Sequence, residues 1–326
     1  MNTMLGALQG FALRGAGAMA VLLAPVALAG CADCNKGDGG AAAIDAGEPE
    51  AASRVADASN VTVLEGGTLN ATPLPTASVA AAVNPDKLPA YSGATGSVEG
   101  TITVIGDPAP STPQDFSSCP DAEKTWGHAF REGPRGPKGE RPLADAIVVV
   151  TGYKGFYLPE TQEARAISIE GCGYTLRTLT MTFGQRLEVK NLTKDFWSPV
   201  LEPRPSPVLM MATPNGDAVR IYPKTPGHHL LVDRDRKYVV VDVWTFLHPL
   251  HASTALTGYY RIDGLPVGKL KVQSTHPNID ANAEADLTVL PGVVHKVDLV
   301  IKNVNRDAGA GASNAGRDGG QPPVLR

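Results

Sequence analysis

Residues 259–274 read YYRIDGLPVGKLKVQS, and they decide the fold class. Tyr260 and Ile262 stand two residues apart, as do Leu270 and Val272, which is the period of a strand with one face buried. Between the two halves, Leu265-Pro266-Val267-Gly268 supplies turn chemistry. The same alternation continues on both sides. Downstream come Leu287 and Val289, then Val297, Leu299 and Ile301. Upstream, Val98, Ile102 and Val104 open the pattern, and Ile167/Ile169, Leu179/Met181/Phe183 and Leu187/Val189 extend it. Ala146–Val150 is a continuous apolar run, the mark of a buried strand, and Tyr238–Leu247 is a long, almost wholly apolar strand. Turn signals at Gly184-Gln185, Pro214-Asn215-Gly216, Pro226-Gly227 and Pro291-Gly292 separate these runs, and no helical period appears beyond the first thirty residues. The expectation is an all-β chain of sandwich modules.

Composition limits what such a chain does. Its 326 residues suit about two domains. Charged residues make up 19% and aromatics 6%, while Gly and Pro number 35 and 27. That balance points to spacer segments around a body rather than one large packed enzyme. A net charge of −4 with no clustered basic excess argues against nucleic acid as a partner.

At the N-terminus, Arg14 precedes an uncharged run from Gly15 to Gly30, too rich in Gly, Ala and Pro for a membrane span and suited to a secretory signal. The run ends in Leu28-Ala29-Gly30-Cys31, which resembles a bacterial lipobox. The resemblance implies acylation of Cys31, cleavage before it, and a permanent lipid anchor. Ala32 rather than Asp at the next position favours the outer membrane in lipoproteins of that kind. Residues 31–93 carry eight acids and three bases with no sustained period and read as a disordered acidic tether; residues 304–326 repeat that composition as a tail.

Of the four cysteines, Cys34 lies in the tether. Cys119 and Cys172 lie in the body, where they either pair or remain two buried thiols. A bridge would close a 54-residue loop and add at most about 4 kcal/mol in the chain-entropy model.

Residues 251–303 resemble a carboxypeptidase regulatory-like domain, a small β-sandwich, through Thr254, Gly258, Tyr260, Ile262, Leu265–Gly268, Leu270, Val272 and Pro291-Gly292. Residues 94–250 resemble a cupredoxin-like sandwich of bacterial secreted proteins, through Gly100, the AIVVV strand, Gly171–Tyr174, the GQRLEVKN stretch at 184–191, Pro226-Gly227 and His248-Pro249-Leu250. That second resemblance supports the Cys119–Cys172 bridge. It also implies where copper ligands would stand: at Trp197, then at Asp233, Arg236 and Val239. None of these supplies an imidazole or thiolate, which a blue-copper site requires. The resemblance therefore implies a framework with vacated metal positions, and Asp233 with Arg236 reads as a surface ion pair.

His228, His229, His248 and His251 offer a nonstandard copper set, although adjacent residues of a strand point to opposite faces. Trp197, Trp244 and Tyr259 offer a sugar-binding face, with Trp244 the more natural core residue. The basic stretch Arg131–Arg141 offers a docking loop or a solvated insertion. No nucleophile, zinc-hydrolase, phosphate-loop or haem motif is present. The expected protein is a non-catalytic, lipid-anchored outer-membrane module without a cofactor, binding an envelope protein or glycan. Copper binding or electron transfer is the alternative.

Overall fold

The computed structural model describes residues 71–203 and 209–305, so the expected signal peptide, Cys31, most of the tether and most of the tail lie outside the described residues. The strands are β1 (Thr95–Gly106), β2 (Arg141–Pro142), β3 (Ile147–Thr151), β4 (Ala164–Glu170), β5 (Gly173–Tyr174) and β6 (Thr178–Thr182). They continue with β7 (Arg186–Asn191), β8 (Pro199–Glu202), β9 (Val219–Ile221), β10 (Gly227–Asp233), β11 (Val240–Phe246) and β12 (His251–Ser253). The last are β13 (Tyr259–Pro266), β14 (Gly268–His276), β15 (Ile279–Val289), β16 (Val294–Lys296) and β17 (Leu299–Asn303). Among the described residues two α-helices occur, α1 (Thr76–Val83) and the single turn α2 (Glu123–Trp126), the latter preceded by a 3-10 turn at Pro120–Ala122. The all-β class holds.

The strands form two sandwiches, but not in sequence order. In the first, β1 is flanked by β13, β2, β16 and β17 and faces the sheet β12-β3-β14-β15. In the second, β6-β11-β10-β8 faces β5-β4-β7-β9. Segment β4–β11 is thus an insertion between β3 and β12 of a split sandwich. The expected division at residue 250 is corrected here: β1 and β3, placed by sequence in the upstream module, complete the downstream one. The reason is burial. Val98, Ile102, Val104, Val148 and Val150 share a core with Tyr260, Ile262, Leu270, Val272, Leu299 and Ile301, and the strands after residue 250 alone leave that face open. Each large apolar side chain buried there contributes roughly 1.5–3 kcal/mol.

The inserted sandwich closes over Ile167, Ile169, Leu179, Met181, Leu187, Val189, Leu231, Val241 and Val243. Phe116, Ala122 and Trp126, from the connection between β1 and β2, pack into this same core. Cys119 is disulfide-bonded to Cys172 in the β4–β5 turn. The bridge therefore ties a loop of the split sandwich to the inserted one, and Arg177 reinforces it by donating to the carbonyls of Thr125, His128 and Ala129.

Residues 71–93, expected as disordered tether, are a second correction. Ala71 N–H donates to Arg220 O (3.1 Å) and Lys224 Nζ to Thr72 O (3.0 Å). Ala90 bridges Tyr157 at the other end of the segment. Between these ties runs α1, with no buried residue and no side-chain cap. Its run of Ala and Val has no apolar stripe to reveal it, so helix propensity, anchoring at both ends and Val79 set against Gly184 hold it.

Gly100 sits where β1 changes its parallel partner. Ser97–Glu99 pair with Val294–Lys296, and Ile102–Gly106 pair with Leu299–Asn303. Between the two ladders, Val297 N–H donates to Glu99 O (2.9 Å) and Thr101 N–H to Asp298 Oδ1 (2.8 Å). A Cβ at Gly100 would overlap the carbonyl of Val297, which is held in place by Tyr260 OH (2.8 Å). Gly100→Ala is expected to lower stability by roughly 2–4 kcal/mol, read from urea unfolding midpoints, because the obstacle is backbone rather than a movable side chain.

Candidate functional site

Three connections meet at one pole of the inserted sandwich: β7 to β8, β8 to β9 and β10 to β11. Asn191 organises the first. Its Nδ2 donates to the carbonyls of Asp195 (2.7 Å) and Ala212 (2.8 Å), and its Oδ1 accepts from Thr193 N–H (2.9 Å). Trp197 follows, fully buried, with Nε1–H donating to Thr193 Oγ1 (2.9 Å) and its backbone bridged to Ala212.

The fold brings all four positions that the resemblance marked, Trp197, Asp233, Arg236 and Val239, to this pole. Arg236 lays its guanidinium 3.9 Å from the Trp197 ring centroid. The expected Asp233–Arg236 ion pair is present, but its carboxylate is fully buried rather than at the surface, and Asp233 also caps the turn. Its Oδ2 accepts from Ser198 N–H (2.8 Å), while Oδ1 accepts from Asp235 N–H (3.1 Å) and Arg236 N–H (2.9 Å). Arg236 Nη1 lies 3.5 Å from the same Oδ1. Val239 is core, its N–H donating to Arg236 O (3.0 Å). The Tyr174 phenol behind Trp197 is pushed well above its ordinary pKa by burial, with the Asp233 charge adding to the shift. The Asp-x-x-Arg spelling carried the turn signal, since an Asp side chain caps the N–H groups that follow it. That it would be buried was invisible without the Trp197 strand beside it.

The four candidate histidines do not form one set. His228 Nε2 lies 2.8 Å from Asp242 Oδ1, and its ring stacks on Trp244 (centroids 4.6 Å). His229, its neighbour, points inward and donates from Nε2 to Thr225 O (2.8 Å). His248 and His251 lie where the outer faces of the two sandwiches meet, both beside Phe246. Thr182 Oγ1 gives its one proton to Glu160 Oε2 (2.6 Å) and so accepts from His251 Nε2 (3.1 Å). His248 Nδ1 accepts from Leu250 N–H (3.2 Å), which leaves the proton on Nε2. His251 Nδ1 and His248 Nε2 then have no partner among the described residues. Only the first presents a free lone pair. Among the described residues, no group of three or more His, Cys, Asp or Glu side chains is placed to hold a metal ion.

The aromatic trio does not share a face. Trp197 is inside the core, Trp244 lies against His228 on the opposite side of β11, and Tyr259 on β13 bonds to Glu99 (3.1 Å). The expected core place for Trp244 is likewise corrected, because Val241 and Val243 point into the core and Trp244 points away from it. In the basic stretch, Arg131 pairs with Asp145 (2.7 Å) and Arg141 with Glu132 (2.8 Å), so both flanks are structural. A cavity of about 870 Å³ lies between α1 and the segment around Tyr157, with Glu160 and Thr182 among its lining residues. Sequence reading missed it, as it missed α1.

Solved structures similar to part of this chain include amicyanin from Paracoccus versutus, at 14% identity over 26% of this chain and 81% of that one, with a TM-score of 0.23. A copper-containing nitrite reductase from Thermus scotoductus SA-01 matches at 14% identity over 29% of this chain and 25% of its own, also with a TM-score of 0.23. No protein-family model and no curated protein matches the chain.

Two outcomes follow from the geometry. Asp233→Ala strips three backbone N–H groups of their buried acceptor and is expected to cost roughly 2–4 kcal/mol in urea unfolding, whereas Arg236→Ala costs only about 1 kcal/mol and alters the Trp197 emission. Burial depresses His248 to about 4, His276 to about 4 and His251 to about 3, with the nearby His248 and Arg165 charges adding to the last. The unfolded chain, with histidines near 6.5, binds these protons first. Stability is therefore complete above about pH 6.5 and falls as the pH drops from there to about 4, by up to roughly 1.4 kcal/mol per pH unit for each histidine. Urea midpoints across that range measure the slope, and His251→Gln reduces it.

Proposed function

We propose that this chain is a lipid-anchored cell-envelope protein whose β-sandwich body is a non-catalytic binding or scaffold module. Its cupredoxin-like pole has exchanged metal ligation for packing. The observation that carries this reading is the stack of Arg236 on Trp197 above a buried Asp233 with both carboxylate oxygens engaged by backbone N–H groups. A blue-copper centre requires two imidazoles and a thiolate converging on one point. Here the corresponding positions hold an indole, a carboxylate, a guanidinium and an isopropyl group that complete one another. The anchor rests on the Leu28–Cys31 motif alone, and the outer membrane on Ala32.

Elemental mass spectrometry and a visible spectrum of the purified chain after exposure to copper and zinc test the reading. No stoichiometric metal and no visible band are expected. Stoichiometric copper would overturn it in favour of electron transfer or copper binding through His248 and His251. Acyl labelling in a bacterial host, lost in Cys31→Ala, tests the anchor separately.

A further inference from the structure

The pole that carries Trp197 is also the most apolar exposed ground on the inserted sandwich. Leu192, Phe196, Leu209 and Met211 are each between 44 and 59% exposed. They stand together because Asn191 binds the carbonyls of Asp195 and Ala212, and Trp197 bridges Ala212. All four sit on connections beyond the strand ends, not on a flat sheet face. Single exposed apolar residues are ordinary, but four on adjoining turns are not.

Exposed bases stand beside them. Arg236 is occupied by Asp233 and Asp195, and it donates to Phe196 O (3.2 Å), which holds the turn up. Lys194, Arg234 and Lys237 border the same turns, are exposed, and have no ion-pair partner among the described residues. Asp195, Asp217 and Asp235 are exposed on the same connections, so these bases form a local cluster rather than a net excess. Protruding Phe, Leu and Met side chains with unpaired Lys and Arg beside them match a layer of anionic phospholipid headgroups over acyl chains.

We infer that this pole is a membrane-contact surface: Phe196, Met211 and Leu192 enter the interface, and Lys194, Arg234 and Lys237 meet anionic headgroups. Forty residues separate Cys31 from Ala71, a contour of at most roughly 130 Å, so an anchored body would have the pole within reach of the same bilayer. That last step rests on the proposed anchor; the chemistry of the patch does not.

Vesicle flotation tests the surface. The full chain carries Cys31→Ala in every sample, so acylation and the N-terminal apolar stretch are constant, and failure of the anchor reading leaves the result interpretable. Vesicles of phosphatidylcholine alone are compared with vesicles half phosphatidylglycerol. Stronger partition into the anionic vesicles is expected. Phe196→Ala with Met211→Ala lowers it about tenfold or more, and Lys194→Glu with Arg234→Glu lowers it about fivefold per charge. Lys296→Glu, on the other sandwich, leaves it unchanged. Because all these side chains are exposed, folding is preserved, and unchanged urea midpoints verify it. Equal partition of the parent and both patch variants, or an equal loss in Lys296→Glu, would overturn the inference.

Discussion

The body depends on β1 being shared. It hydrogen-bonds antiparallel to β13 through Thr95–Thr101 and parallel to β16 and then β17 along its other edge. A strand at one end of the described chain is thereby locked between strands near the other end, and the split sandwich closes around the insertion. Both flanking ladders need the backbone of β1 to pass the Val297 carbonyl, so Gly100 is the residue that permits the arrangement. The closure is non-local throughout, which makes the loop-closing cost of folding high and the cooperative gain correspondingly late.

The two sandwiches are coupled by three different kinds of contact. The disulfide joins the β1–β2 connection to the β4–β5 turn, and Trp126 from that connection fills the inserted core while donating to Val240 O (3.2 Å). Opposite this, the Glu160–Thr182–His251 chain crosses between the outer faces of β6 and β12. The first contact is covalent and apolar. The second is polar, with His251 Nε2–H donating to Thr182 and Thr182 to Glu160.

At the far pole, side chains hold three connections together. An indole, a guanidinium and a capped carboxylate crosslink them by stacking and hydrogen bonds. The turns they hold are the ones that present Leu192, Phe196 and Met211 to solvent.

The sequence by itself determined the strands. Alternation at Val98–Val104, Ile167–Ile169, Leu187–Val189 and Leu270–Val272 appears in the structure as β1, β4, β7 and β14, because a half-buried strand writes its period into local composition. Cys119 and Cys172 were legible as a candidate pair. What the tertiary structure alone decided was pairing between distant segments: that β1 and β3 belong with the strands after residue 250, and that His248 and His251 part company with His228 and His229. It also decided that Asp233 is buried and Trp244 is not. Alternation states which side chains face a core but not which core, since every apolar face is equivalent until another sheet covers it. For the same reason α1, with no stripe to bury and only Val79 between its ends set against the body, left no periodic trace to read.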